Sequence, residues 1–136
     1  MVSYEHSSTI NQTTDVVFNF LQDLNNASEL IPQTLVRNWQ STQDTCSFEF
    51  MLLMNSLQFS MQVVERTPNT KIVLNSLENS FAICSIIANL QSVGNQTVVE
   101  FKFETPDETF SGDCPYKLAV QLLLQLLSTN LKSKFK

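Results

Sequence analysis

Glycine is scarce in this chain: Gly94 and Gly112 are the only two among 136 residues. That leaves no glycine-rich loop to cradle a phosphate. His6 is the sole histidine, and no residue spacing makes a nucleophilic triad or a metal site. Cysteine is thin as well. Cys46, Cys84 and Cys114 are odd in number, widely spaced and form no C-x-x-C. They read as buried reduced thiols rather than a disulfide framework or a zinc site. Basic residues are outnumbered, and the net charge of −5 argues against nucleic acid, which needs a basic footprint. No apolar run approaches the roughly 18 residues of a membrane span. The opening MVSYEHSST has neither the basic start nor the apolar stretch of a signal peptide. A cytoplasmic protein without cofactor or metal is the expectation, and the sequons at Asn11, Asn26 and Asn95 read as chance.

What is present is an ordinary globular composition, 43% hydrophobic and 15% charged, sufficient for one domain over 1–136 with a real core. Residues 3–10 alternate as a strand with Tyr4, His6, Ser8 and Ile10 on one face. Thr13 or Thr14 then suits a helix N-cap, with Asp15 favourable in the first turn. Val16, Val17, Phe18, Phe20 and Leu21 form the apolar face of that short helix. A second short helix around 23–30 must end before Pro32, because the residue preceding a proline avoids helical geometry.

From Leu35 to Glu104 the pattern is consecutive strands with turns at Thr42-Gln43, Met54-Asn55, Pro68-Asn69, Glu78-Asn79 and Gly94-Asn95. Directly opposed residues of a hairpin share a face. The Gly94-Asn95 turn sets Leu90 opposite Val99, Ala88 opposite Phe101 and Ile86 opposite Phe103. A turn at Met54-Asn55 pairs Leu52 with Leu57, Phe50 with Phe59, Phe48 with Met61 and Cys46 with Val63. Pro68-Asn69 places Val63 opposite Leu74. Each hairpin yields one apolar and one mainly polar face, so Phe50, Phe59, Ile86 and Phe101 are expected inside and Gln58, Glu100 and Lys102 outside.

The element YKLAVQLLLQLLSTNLK covers that sheet as a helix. Lys117, Gln121, Gln125, Ser128 and Lys132 confine its polar face to an arc of about 80°, leaving more apolar surface than one sheet needs. On the outer sheet face, Phe81, Ile83 and Ile87 form an apolar patch, for which a symmetric homodimer is the commonest cover.

This order of elements resembles the START/Bet v 1-like helix-grip superfamily, which includes polyketide cyclases and dehydratases and lipid-transfer domains. Ile10-Asn11-Gln12-Thr13 is similar to the family's first strand end, and Val17-Phe18, Leu21 and Asp23 to its "V-F/W-x-x-L-x-D". Val64-Glu65-Arg66-Thr67-Pro68 resembles its "V-x-E-x-x-P". The chain lacks the glycine-rich loop of plant Bet v 1-like members and is too short for a full lipid-transfer START domain. The resemblance implies an α+β helix-grip fold: a curved antiparallel sheet of about seven strands around a long C-terminal helix, with two short helices after strand one.

It also implies a cavity for a small hydrophobic or amphipathic ligand (lipid, polyketide or quinone-like) between sheet and helix. Its walls would be Phe48, Phe50, Phe59, Met61, Ile86 and Phe101 from the sheet and Leu123 and Leu127 from the helix. His6 and Arg37 are the inward polar candidates, Arg37 because the Thr42-Gln43 turn sets it opposite Phe48. A buried arginine needs a partner, Glu65 or a ligand carboxylate, unless strand two bulges and lets it reach solvent. A cyclase- or dehydratase-like enzyme would need an acid–base group in the cavity, from Tyr4, His6 or Glu65. A protein-interaction module is the third reading.

Overall fold

Alternating apolar residues build a sheet of seven antiparallel strands in the order β1-β7-β6-β5-β4-β3-β2. The structure, a computed structural model, describes residues 1–52, 55–112, 114 and 116–136. The strands are β1 Val2–Ile10, β2 Val36–Ser41, β3 Thr45–Leu52, β4 Asn55–Thr67, β5 Lys71–Ser76, β6 Ser85–Val93 and β7 Gln96–Thr105. Helix α1 spans Thr14–Leu21 and α2 spans Lys117–Lys134, with 3₁₀ helices at Leu24–Glu29, Gln33–Leu35 and Glu108–Ser111. Among the described residues no helix is long and apolar enough to cross a membrane.

Because β1 and β2 are the two outer edges of the sheet, the chain between them must cross the whole fold. The α1 and 3₁₀ segments make that crossing and so cap one end of the space between sheet and α2. Thr13 is the N-cap residue of α1, although its hydroxyl bonds Asp15 instead of a helix N–H. Asp23 caps the next helix by accepting from the Asn25 N–H at 3.0 Å. That segment ends before Pro32, as the sequence requires, in 3₁₀ rather than α geometry.

The β6–β7 register is the one set by Gly94, with Leu90 opposite Val99, Ala88 opposite Phe101 and Ile86 opposite Phe103. Gly94 has φ +62°, which suits the first central position of a type II′ hairpin turn. A Cβ there would meet nothing within 4 Å, so its cost is conformational alone. Gly94→Ala is expected to lower stability by about 1–2 kcal/mol, readable as a shifted midpoint in urea at unchanged slope.

The β3–β4 pairs differ from expectation. Phe50 opposes Leu57, Phe48 opposes Phe59 and Cys46 opposes Met61, each partner two residues earlier on β4 than a turn at Met54-Asn55 sets; Met54 itself lies outside the described residues. A slip of two residues keeps every side chain on its face, whereas a slip of one would reverse them all. Val63 does oppose Leu74, because a third loop residue and a bulge at Val64 cancel.

Two side chains leave their expected faces. Between Arg37 and Gln40 the β2 ladder shifts, and Asn38 takes a left-handed conformation, φ 58°. The inserted residue reverses the alternation. Arg37 therefore stands opposite Glu49 on the outer face, while Trp39 stays inside and stacks on Phe48 at 4.8 Å. Phe81 turns inward rather than joining an outer patch. The loop after β5 continues the ladder along β4, with Leu77 N–H bonding Ser60 and Phe81 N–H bonding Gln58, each at 2.7 Å. Phe81 thereby packs on Phe59 and Phe103. The outer patch reduces to exposed Ile83 and half-buried Ile87.

Phe50, Phe59, Phe101 and Leu123 are buried, and Ile86 is half-buried. Gln58, Glu100 and Lys102 lie on the opposite face but are half-covered rather than fully exposed. Helix α2 buries Ala119, Val120, Leu123, Leu124, Leu127 and Leu131. Ser128, expected on the polar arc, is fully buried because its hydroxyl donates to the His6 carbonyl at 3.2 Å. The surplus apolar arc remains partly in water, with Leu118 71% exposed.

Candidate functional site

The concave sheet face, α2 and the cap do not meet completely, and a cavity of about 80 Å³ lies between them. The cap contributes Phe20, Leu21, Leu24, Ala27, Leu30 and Ile31. The β2–β4 wall contributes Trp39, Cys46, Phe48 and Met61, and β5–β7 contribute Ile72, Leu74, Ile86, Ala88 and Phe101. Leu123 and Leu127 close it from α2. Among the described residues, no carboxylate, amine, guanidinium, imidazole or hydroxyl lines this space.

The three heteroatoms on the lining side chains are already accounted for, the Met61 sulfur by the Ser80 hydroxyl that donates to it at 3.9 Å. Trp39 Nε1 donates to Ser41 Oγ at 3.1 Å, and Ser41 in turn donates to Asn25 Oδ1 at 2.7 Å. Burial pushes the Cys46 thiol up to about 12, so it stays neutral and poorly nucleophilic. Cys84 is pushed up to about 11 by burial, against a smaller lowering by its hydrogen bond with Ser76. A thiol reagent in native buffer is therefore expected to modify half-buried Cys114 first. Cys46 and Cys84 should react only as the fold opens, and urea should equalise the three rates. Prompt labelling of Cys46 would mean that the cavity stands open to water.

The cap is held from two sides. Arg66 donates to the carbonyls of Gln22 at 2.9 Å and Gln43 at 3.0 Å, and to Asp44 Oδ1 at 2.8 Å. This closes the free C-terminal end of α1 onto the β2–β3 loop. On the α2 side, Asn130 donates to the Leu30 carbonyl at 2.7 Å and Lys134 pairs with Glu29 at 2.9 Å. Phe135 meets Phe20 edge to face at 5.7 Å.

Of the residues singled out from sequence, Phe48, Met61, Ile86, Phe101, Leu123 and Leu127 come together around the cavity. Phe50 and Phe59 share their face but lie in filled core, with no exposed surface. Arg37 is outside, engaging Glu49 through two hydrogen bonds of 3.1 and 3.2 Å. Hydrogen bonds from Arg37 and then Asn38, with smaller help from the Arg37 charge and Ser56, hold the Glu49 carboxyl below the usual carboxylate range. His6 faces α2, as alternation requires, but borders a separate groove with Tyr4, Gln121 and Gln125. Its buried Nδ1 has no hydrogen-bond partner among the described residues. Tyr4 donates its hydroxyl to the Phe110 carbonyl, and Glu65 is exposed.

Of the cap residues, Phe20 and Leu21 were placed on the apolar face of the first helix, and Leu24, Ala27, Leu30 and Ile31 were not singled out. Leu24, Ala27 and Leu30 recur every third position, the period at which 3₁₀ side chains eclipse, and that spacing is a readable signal.

No protein-family model and no curated protein match the chain. Solved structures do. The solution structure of the KanY protein superposes with a TM-score of 0.79 at 12% identity, covering 98% of this chain and 97% of that one. The fold is a START/Bet v 1-like helix grip. The Aha1 dimer from Colwellia psychrerythraea is similar at TM-score 0.73 and 14% identity, over 99% and 96% of the two chains. A START superfamily protein from Mycobacterium smegmatis is similar at 0.70 and 11% identity, over 98% and 96%. At such identities the shared property is the helix grip, and function must be argued from the site.

Proposed function

We propose that this chain binds a small apolar molecule in the cavity between sheet, α2 and cap. The observation that carries this reading is a partly open space of about 80 Å³ walled almost wholly by apolar side chains. Protein interiors are close-packed, and voids larger than a water are few. Apolar voids stay dry and take apolar guests; about 150 Å³ is enough to admit a benzene molecule. The present cavity is smaller, so the guest is small or the cap yields slightly. Burying a six-carbon ring is worth roughly 5 kcal/mol at about 0.8 per carbon group, which sets high-micromolar affinity or weaker.

A cyclase- or dehydratase-like reaction has less support. Its candidate acid–base groups, Tyr4, His6 and Glu65, all lie off the cavity, and geometry precedes pKa in choosing a general base. Lipid, polyketide or quinone-like ligands with extended tails would need a much larger opening than the one present.

Native mass spectrometry of the purified protein tests the reading. A bound mass that leaves on gentle activation supports it. Protein that carries nothing, and takes up nothing from a saturated hydrocarbon or arene solution, contradicts it.

A further inference from the structure

We infer that the guest of this cavity is an uncharged molecule without a polar head, best matched by a single aromatic ring that the cap yields slightly to admit; this rests on the binding reading above. The first argument is where the cations lie. Arg37 is engaged by Glu49, Arg66 by two carbonyls and Asp44, and Lys134 by Glu29. None of these three lines the cavity. A carboxylate or phosphate head placed inside would lose its water and gain no partner, a cost that excludes it. An ammonium fares no better, since no carboxylate lines the cavity among the described residues.

The same holds for neutral donors and acceptors. Trp39 Nε1, the single N–H on the lining side chains, is committed to Ser41, and the Cys46 thiol is a weak donor at best. A hydroxyl or carbonyl on the guest would therefore go unpaired.

The second argument is the shape and character of one wall. Trp39 and Phe48 lie nearly parallel, centroids 4.8 Å apart and planes 23° apart, and both face the cavity together with Phe20 and Phe101. Met61, directly opposite Cys46 on the paired strand, adds a polarisable thioether that favours aromatic contact. A planar ring can meet Phe or Trp in offset or edge-to-face contact, which adds to simple burial. A flexible chain cannot, and it loses rotamer freedom on entry.

Trp39 is the chain's only tryptophan, so excitation at the red edge of indole absorption reports this wall alone. Toluene, cyclohexane, benzoate and benzylamine would be titrated into the wild-type protein, with calorimetry as a second readout. Toluene should bind at least a hundredfold more tightly than benzoate or benzylamine, and several-fold more tightly than cyclohexane. Benzoate or benzylamine binding as well as toluene would overturn the uncharged class while leaving the cavity as the site. Cyclohexane binding as well as toluene would overturn the aromatic preference. Silence from all four compounds in both readouts would instead sink the binding reading on which this inference rests.

Discussion

Phe59→Ala is expected to lower the folding stability by about 3–5 kcal/mol, the range for deleting a buried aromatic ring. Phe59 has no exposed surface. Its ring stacks on Phe48 at 5.3 Å and meets Phe81 edge-on at 4.9 Å. Those contacts link the cavity wall to the second aromatic cluster around Phe103 and Phe110, so the deletion loosens both. Because Phe59 lies in filled core rather than at the cavity, there is no pre-existing space into which its neighbours can relax. Chemical denaturation at equilibrium reads the loss. A value below about 1.5 kcal/mol, nearer that of a volume-conserving swap, would show that the site is loosely packed and that the boundary drawn between core and cavity is misplaced.

Ala88→Leu is expected to abolish binding of a small arene while leaving the protein at least as stable as the original. Ala88 lies between Ile72 on β5 and Phe101 on β7, its direct partners across the sheet, and faces the cavity. The added carbons occupy space that nothing fills. Cavity filling commonly contributes about 0.5–2 kcal/mol. Overpacking of a well-filled core costs about 1–3 kcal/mol instead. Thermal denaturation and a toluene titration together separate the cases. Lower stability with retained binding would mean that the space is already occupied by side chains and that any guest sits elsewhere.

The faces of the sheet were legible because alternation is a strong signal and because Gly94-Asn95 marks a two-residue hairpin turn, glycine supplying the positive φ such a turn needs. The β3–β4 slip of two residues was invisible to the same reasoning, since it moves no side chain across the sheet. For Arg37 the sequence left two placements open, inward opposite Phe48 or out to solvent through a bulge in strand two. The bulge is what forms, through an asparagine in a left-handed conformation that inserts one residue into β2, and the apolar pattern around Trp39 does not mark its position beforehand. Phe81 followed a loop whose N–H groups bond β4 instead of water, a tertiary choice that local sequence does not encode.

The cavity itself is the least legible feature. Phe48 and Phe101 look from sequence like Phe50 and Phe59, because all four are apolar residues on one strand face. Only the packed positions of Ala27, Ala88 and the cap decide which rings meet a neighbour and which meet empty space. His6 shows a related limit. Alternation set its side of the sheet correctly, but the curl of the sheet decided that this side meets α2 rather than the cavity.

The most direct measurement is methyl NMR of the protein labelled at isoleucine and leucine, recorded with and without dissolved toluene. Shifts should be confined to the isoleucines and leucines that face the cavity: Leu21, Leu24, Leu30 and Ile31 in the cap, Ile72, Leu74 and Ile86 on the sheet, and Leu123 and Leu127 on α2. Ile10, Leu57 and Leu131, which are fully buried but do not line it, should stay fixed. Shifts centred on exposed Leu118 and Ile83, or none at saturation, would contradict the assignment of this cavity as the binding site.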